Sequence, residues 1–215
     1  MDSKMINIII EALGQTIYMV FFSTLFASVL GFILGIIVTV TSPTGLRPNI
    51  FIYKSLDVII NVLRSFPFII LIVFIIPLTR AIVGTPIGET AAIVPLTIAA
   101  APFVARIIES ALKEVDPGVI EAAKSFGASN LQIIFKVMLK EAVPAIISGL
   151  TLTIINIIGY SAMAGSVGAG GLGKVAISYG YQRYQTDVMI VTVIILIIIV
   201  QGLQSLGNYL YKKLS

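Results

Sequence analysis

Cysteine, histidine and tryptophan are all missing from the 215 residues, and charged side chains make up only 11% of the chain. Without a thiol or an imidazole there is no disulfide, no thiolate or imidazole metal site and no histidine general base. The redox compartment therefore leaves no trace in the sequence. What fills the chain instead is apolar: 58% hydrophobic residues and a mean hydropathy of +1.06. A soluble domain carries about a quarter charged and roughly half apolar residues, so both deviations point to an integral membrane protein. At about 20 residues per crossing plus connections, the length suits four to six crossings in a single domain, 1–215. The formal charge of +4 and pI near 9.3 fit Lys and Arg gathered on cytoplasmic loops, and no nucleic-acid partner is expected.

Five spans are predicted, in an all-α integral membrane fold of about five transmembrane helices. Asp2, Lys4 and Glu11 precede a charge-free run over 12–46 that is too long for a signal-peptide core and lacks its flanking pattern. It reads as a retained first span, 17–40, with Ser28, Gly31 and Gly35 allowing close helix approach. The second span is placed at 56–78, with Asp57 and Arg64 on one face where they can pair. The third, 89–112, holds Pro95 and Pro102 and is expected to kink. The fourth is 142–165. The fifth, 188–209, closes on Tyr209, Tyr211, Lys212 and Lys213 as an interfacial anchor, and the chain stops two residues beyond Lys213, leaving no room for a regulatory domain there.

In this scheme one side holds Arg47, Lys54, Arg64, Arg106, Lys113, Lys124, Lys136, Lys140, Lys212 and Lys213. The other holds Lys4, Arg80, Lys174 and Arg183. Ten against four places the C-terminus and the segment 113–140 in the cytoplasm and the N-terminus outside.

That segment is too well punctuated for a plain loop. Asp116 suits an N-cap with Pro117 at the first helical position, Glu121 and Lys124 fall on the solvent side, and Gly127 supplies a stop. Ser129 with Gln132 forms a capping box for a second helix whose Leu131, Ile134, Phe135 and Met138 recur on one apolar face. By periodicity alone the short helix is either a docking feature or an amphipathic connector lying on the headgroups.

Glu121-Ala122-Ala123, Gly127 after three further residues, and an apolar stretch reaching Val137 and Leu139 resemble the EAA signature of ABC importer permeases. The resemblance implies a type I permease fold and a coupling helix, built on Asp116, Glu121, Ala122, Ala123 and Gly127, that sits in a groove of a cytoplasmic ATPase subunit. Lys140 stands where that signature has proline, with the next proline at Pro144, which leaves the bend into the fourth span open. Leu63-Arg-Ser-Phe-Pro67, the run from Gly159 to Gly173 and Tyr179-Gly-Tyr-Gln-Arg-Tyr184 look like the methionine branch of the family. The same resemblance implies a homodimer in a bacterial-type cell membrane, paired with two ATPase subunits and fed by an extracytoplasmic binding protein. ATP and magnesium then belong to the partner ATPase, and this chain carries no cofactor.

Residues 168–175 satisfy G-x-x-x-x-G-K and also G-x-G-x-x-G. A phosphate loop needs Ser or Thr after the Lys, and Val175 stands there; a dinucleotide site needs a soluble strand before it, and a span precedes this one. The glycines read as a flexible or tightly packed turn, and the chain alone is expected to hydrolyse no ATP.

On the fourth span, Gly149, Thr153, Asn156, Tyr160 and Met163 share one helical face, with Ser161 beside it. A small and polar stripe at membrane depth either packs helices closely or lines a hydrated pathway, and a symmetric dimer with the stripe at its twofold axis satisfies both. Gln201, Gln204, Ser205 and Asn208 form a second polar stripe, read as contacts with neighbouring helices. The reading adopted is the membrane subunit of an ATP-driven importer of methionine, L or D. Its rivals are the same machine for another amino acid or small solute, and a self-powered secondary transporter, for which no acid chain or inverted repeat is visible.

Overall fold

The computed structural model describes residues 3–214. Ten α-helices build the described chain, and no strand occurs among the described residues: α1 (Ser3–Thr41), α2 (Ile50–Ser65), α3 (Phe68–Phe74), α4 (Ile76–Val83), α5 (Glu89–Lys113), α6 (Pro117–Ser125), α7 (Asn130–Gln132), α8 (Leu139–Ser166), α9 (Gly171–Val175) and α10 (Thr186–Leu214). Wider π-helical turns at Ile133–Met138 and Ala176–Tyr181 continue α7 into α8 and extend α9. Asp2 lies outside the described residues.

The central element is α5, whose small apolar residues (Ala91, Ala92, Ala99, Ala100, Ala101, Ala105) are buried all round it and almost along its whole length. It lies against α1 so closely that a Cβ on Gly35 would stand 2.6 Å from Ile108 Cβ and 2.7 Å from the Ala105 carbonyl oxygen. Backbone approach of this kind lets dispersion hold two apolar helices together where no water is available to drive them. Gly207 of α10 meets the Thr151 side chain of α8 in the same way. The helix α5 runs through Pro95 and Pro102 without a break, as a proline inside a packed membrane helix can.

Four helices are long and apolar enough to cross a membrane singly: Ser3–Thr41, Glu89–Lys113, Asn130–Ser166 and Thr186–Leu214. The segment expected as a straight span at 56–78 is instead broken, α2 and α3 meeting at 105°. Pro67 causes it: proline excludes the helical region for the residue before it, and Phe66 is extended at φ −77°, ψ 122°. The Asp57–Arg64 ion pair expected within that segment does not form. Asp57 accepts instead from Arg106 of α5, and Arg64 lies over the Phe103 ring, 5.1 Å from its centroid.

One apolar face departs from its expected alignment. Ile133, Ile134 and Met138 are buried, whereas Leu131 and Phe135 are exposed. The π turn adds a residue to the repeat there, with the Leu139 amide reaching back five residues to the Ile134 carbonyl, and so rotates the face away from the 3.6 period on which the expectation rests. The same continuous helix carries Pro144 and passes Lys140 without a break.

Candidate functional site

At one end of the bundle, α6 is a nine-residue helix. The Asp116 carboxylate accepts the Gly118 amide at 2.6 Å, and Pro117 begins the helix where its missing N–H is not needed. At the other end Gly127 has φ +76°. The Gly127 amide donates to the Lys124 carbonyl and the Ala128 amide to that of Ala123, the paired bonds of a Schellman stop. The chain then re-enters a helix through Ser129 and Gln132, each bonding the other's backbone.

The two faces of α6 differ. Ile120 and Ala123 turn inward and pack against a core of Leu112, Val115, Ile134 and Met138. Glu121 and Ala122 face outward, and so do two apolar residues that sequence reasoning passed over, Val119 at 41% and Phe126 at 92% exposure. The signal was present in the spacing: 119, 122 and 126 lie three and four residues apart, on one side of a helix. The helix thus carries an exposed apolar ridge on one face and is anchored to the bundle by the other.

The stripe on α8 divides. Gly149 is pressed against Ile107, Thr153 is buried with its hydroxyl donating to the Gly149 carbonyl at 3.0 Å, and Ser161 is buried and donates to the Ile158 carbonyl at 2.8 Å. Tyr160 stacks on Phe68 of α3, ring centroids 4.7 Å apart and planes 13° off parallel. Asn156 and Met163 are exposed, together with Leu152 and Gly159 on the same side. The periodicity gathered these positions correctly on α8 but ran across the boundary between a covered and an open face.

A second polar surface, on α2, was seen only in part. Arg106 of α5 donates to Asp57 and, at 2.9 Å, to Asn61. Arg106 also binds Glu109, which in turn accepts from Lys113 at 2.6 Å. Two acids and two bases thus neutralise one another between α2 and α5 while Glu109 is 5% exposed. Charges that deep at membrane depth are tolerated when paired.

At the opposite end of the bundle, the glycine-rich run is a packed corner. The Gly171 amide donates to Gln15 Oε1 at 2.7 Å and the Leu172 amide to Thr16 Oγ1 at 2.8 Å. Those first helical amides are the groups a phosphate would need, and α1 already occupies them. Val175 is buried.

The family model of binding-protein-dependent transport system inner membrane components matches residues 27–215. The "Probable D-methionine transport system permease protein MetI" of Vibrio cholerae serotype O1 is 51% identical over 209 residues, 97% of this chain and 93% of its own. The D-methionine transport system permease protein MetI of Escherichia coli K12 is 46% identical over 165 residues, 77% of this chain and 76% of its own. Among solved structures, a native crystal form of the inward-facing MetNI methionine ABC transporter superposes with a TM-score of 0.98 at 43% identity, covering all of both chains. An amino acid ABC transporter with histidines shares the fold, at a TM-score of 0.80 and 22% identity over 98% of this chain and 95% of its own.

Proposed function

The chain belongs to the inner membrane components of binding-protein-dependent transport systems, and from that premise we propose that it is the permease of an ATP-driven methionine importer. The substrate rests on the D-methionine permeases and the methionine transporter to which the chain is similar. Two copies pair, each with a cytoplasmic ATPase subunit that binds ATP and magnesium, and a binding protein delivers methionine from outside. Five crossings, the second being the broken α2–α3 segment, carry the N-terminus outside and the C-terminus inside, in keeping with the excess of Lys and Arg on the side of the 113–140 segment, which remains when Arg64 and Arg106 are set within the membrane.

The observation that carries the coupling role is the outward ridge of Val119, Ala122 and Phe126 on a helix capped at both ends. Asp116 and Gly127 fix its ends, Glu121 flanks the ridge of which Ala122 is part, and Ala123 seats it on the bundle. When ATP draws the ATPase subunits together, a helix held this way moves as a unit and carries with it the bundle ends it is packed against. Asn156 and Met163, with Leu152 and Gly159, form the open face of α8 that meets its copy at the twofold axis and walls the passage. Gly149, Thr153, Tyr160 and Ser161 support that wall from behind.

The test is reconstitution of the chain with its ATPase and binding protein in proteoliposomes. ATP-driven accumulation of labelled L- or D-methionine is the expected result. Phe126→Ala is expected to leave permease abundance and melting unchanged while weakening ATPase retention about 10-fold or more, the usual size for losing a buried aromatic anchor. A wild-type complex that accumulates neither enantiomer overturns the substrate, and full ATPase retention in both Phe126→Ala and Val119→Asp overturns the docking face.

A further inference from the structure

Among the described residues, the charges at the depth of Arg106 are paired with one another, and Arg64 stands apart from them. Asp57 and Glu109 are neutralised by Arg106 and Lys113. Arg64 has no carboxylate within ion-pairing distance among the described residues; its one recorded contact is the face of Phe103. Phe103 is two residues from the midpoint of the 25-residue α5. At about 1.5 Å per residue it lies roughly 21 Å from one end of that helix and 15 Å from Lys113 at the other; with Lys113 at the cytoplasmic edge, as in the topology proposed above, that is about halfway through a hydrocarbon layer about 30 Å thick. Arg64 is nevertheless exposed.

An unpaired guanidinium is not stable against lipid at that depth, so the direction it faces matters. At 100° per residue, Tyr53, Asp57, Asn61, Arg64 and Ser65 fall within one sector of α2 about 120° wide. The exposed apolar residues Ile52, Ile59 and Val62 occupy the opposite side. The helix therefore has one face made for lipid and one for a polar surface, and Arg64 stands on the polar one. Below it the stripe is closed by its own ion pairs; at Arg64 it holds an open positive charge, and at Pro67 the helix breaks.

We propose that Arg64 is an anion-binding step in the translocation pathway, which receives the carboxylate of the passing amino acid midway across the membrane. A planar guanidinium binds a carboxylate through two parallel N–H donors. Stacking on Phe103 holds the group in place without neutralising it. The substrate class is a small zwitterion whose carboxylate is the recognised part. This rests on the importer reading above, and the two fail separately: the wild-type complex tests the importer, the Arg64 variants test the step.

In proteoliposomes holding the full complex, Arg64→Gln is expected to slow methionine uptake roughly 10-fold or more, the scale of one charge-assisted hydrogen-bonded pair, while Arg64→Lys keeps most of it and both retain the ATPase. The second measurement needs no transport. Because the chain has no cysteine, Ser65→Cys introduces a single thiol beside Arg64. An anionic methanethiosulfonate is expected to label it several-fold faster than a cationic one, methionine should slow the labelling, and adding Arg64→Gln should abolish the preference; a thiol at Val62 should resist both reagents. Uptake by Arg64→Gln equal to wild type overturns the proposal, as does a Ser65→Cys thiol that is inaccessible or shows no preference for the anionic reagent. If Arg64→Gln fails to assemble, the Ser65→Cys rates in the otherwise native chain decide.

Discussion

The short helix α6 and the corner 165–175 stand at opposite ends of the bundle and share one device. Each adjoins a Schellman stop in which a glycine turns left-handed, Gly127 at φ +76° and Gly168 at φ +99°, and each shows the same two backbone bonds, Gly127 to Lys124 and Ala128 to Ala123 in one, Gly168 to Gly165 and Ala169 to Ala164 in the other. From there they diverge. The α6 end is fixed by residues within its own 116–132 stretch and leaves open space around Gly127. The α9 corner is fixed by α1 and by its own neighbours at close range: Gln15 and Thr16 hold its first amides, and a Cβ on Gly165 would stand 2.7 Å from the Gly173 carbonyl carbon. A part that moves with a partner needs internal stops and a free outer surface; a part that anchors the bundle needs neighbours that forbid any change.

The sharpest way to break this comparison is to add volume at each end. In Gly173→Val the new side chain runs into the backbone of Ala162, which cannot swing aside as a flexible side chain does. Overpacking of this kind costs about 3 kcal/mol or more, so thermal melting in detergent should fall by roughly 10 °C or the folded protein should be lost. A melting point within a degree or two of wild type would show that the corner is looser than its geometry. Thr16→Val keeps the shape of the side chain but removes the acceptor for the buried Leu172 amide. An orphaned buried donor costs about 1–3 kcal/mol, and hydrogen exchange should accelerate at the amides of 171–175 before any other part of the chain.

The same contrast explains what the sequence allowed one to read. Every capping determinant of α6 and of the turn after it lies within 17 consecutive residues, so Asp116, Gly127, Ser129 and Gln132 could be assigned their local tasks from spacing alone. The determinants of the α9 corner sit 156 residues away in α1, and no local pattern names Gln15 or Thr16. Hydropathy bridged the α2–α3 break because it averages over Pro67, although the proline itself was in plain view. Periodicity placed Gly149 through Met163 along α8 but carries no information about which helix covers which half. Phe68, which stacks on Tyr160, and Arg106, which takes Asp57 from Arg64, both come from elsewhere in the chain.

Gly127→Val probes the α6 end with a purely conformational insult. Nothing lies within 4 Å of the added Cβ, so the cost is that of a branched residue at positive φ, about 1–2 kcal/mol. Melting should shift by only a few degrees, while ATP-driven uptake at equal membrane abundance should drop sharply as the stop unwinds and α6 is misplaced. Gly127→Asn, which tolerates the left-handed region, should recover much of it. Normal uptake in the valine variant would separate the helix stop from coupling.

The smallest effects belong to Asp116, and they test whether α6 is as self-contained as its geometry indicates. The carboxylate is exposed and its recorded side-chain bond is to the Gly118 amide, two residues on. Asparagine is as good an N-cap as aspartate, so Asp116→Asn should change stability by less than about 0.5 kcal/mol. Asp116→Ala removes the acceptor and should cost about 1 kcal/mol. Because the bond is local, the loss should appear as faster hydrogen exchange confined to 117–125, with melting of the bundle unchanged and uptake lowered no more than several-fold. Exchange that rises across α5 and α8 as well would mean that the Asp116 cap holds the bundle end together, and that α6 does not move as a unit of its own.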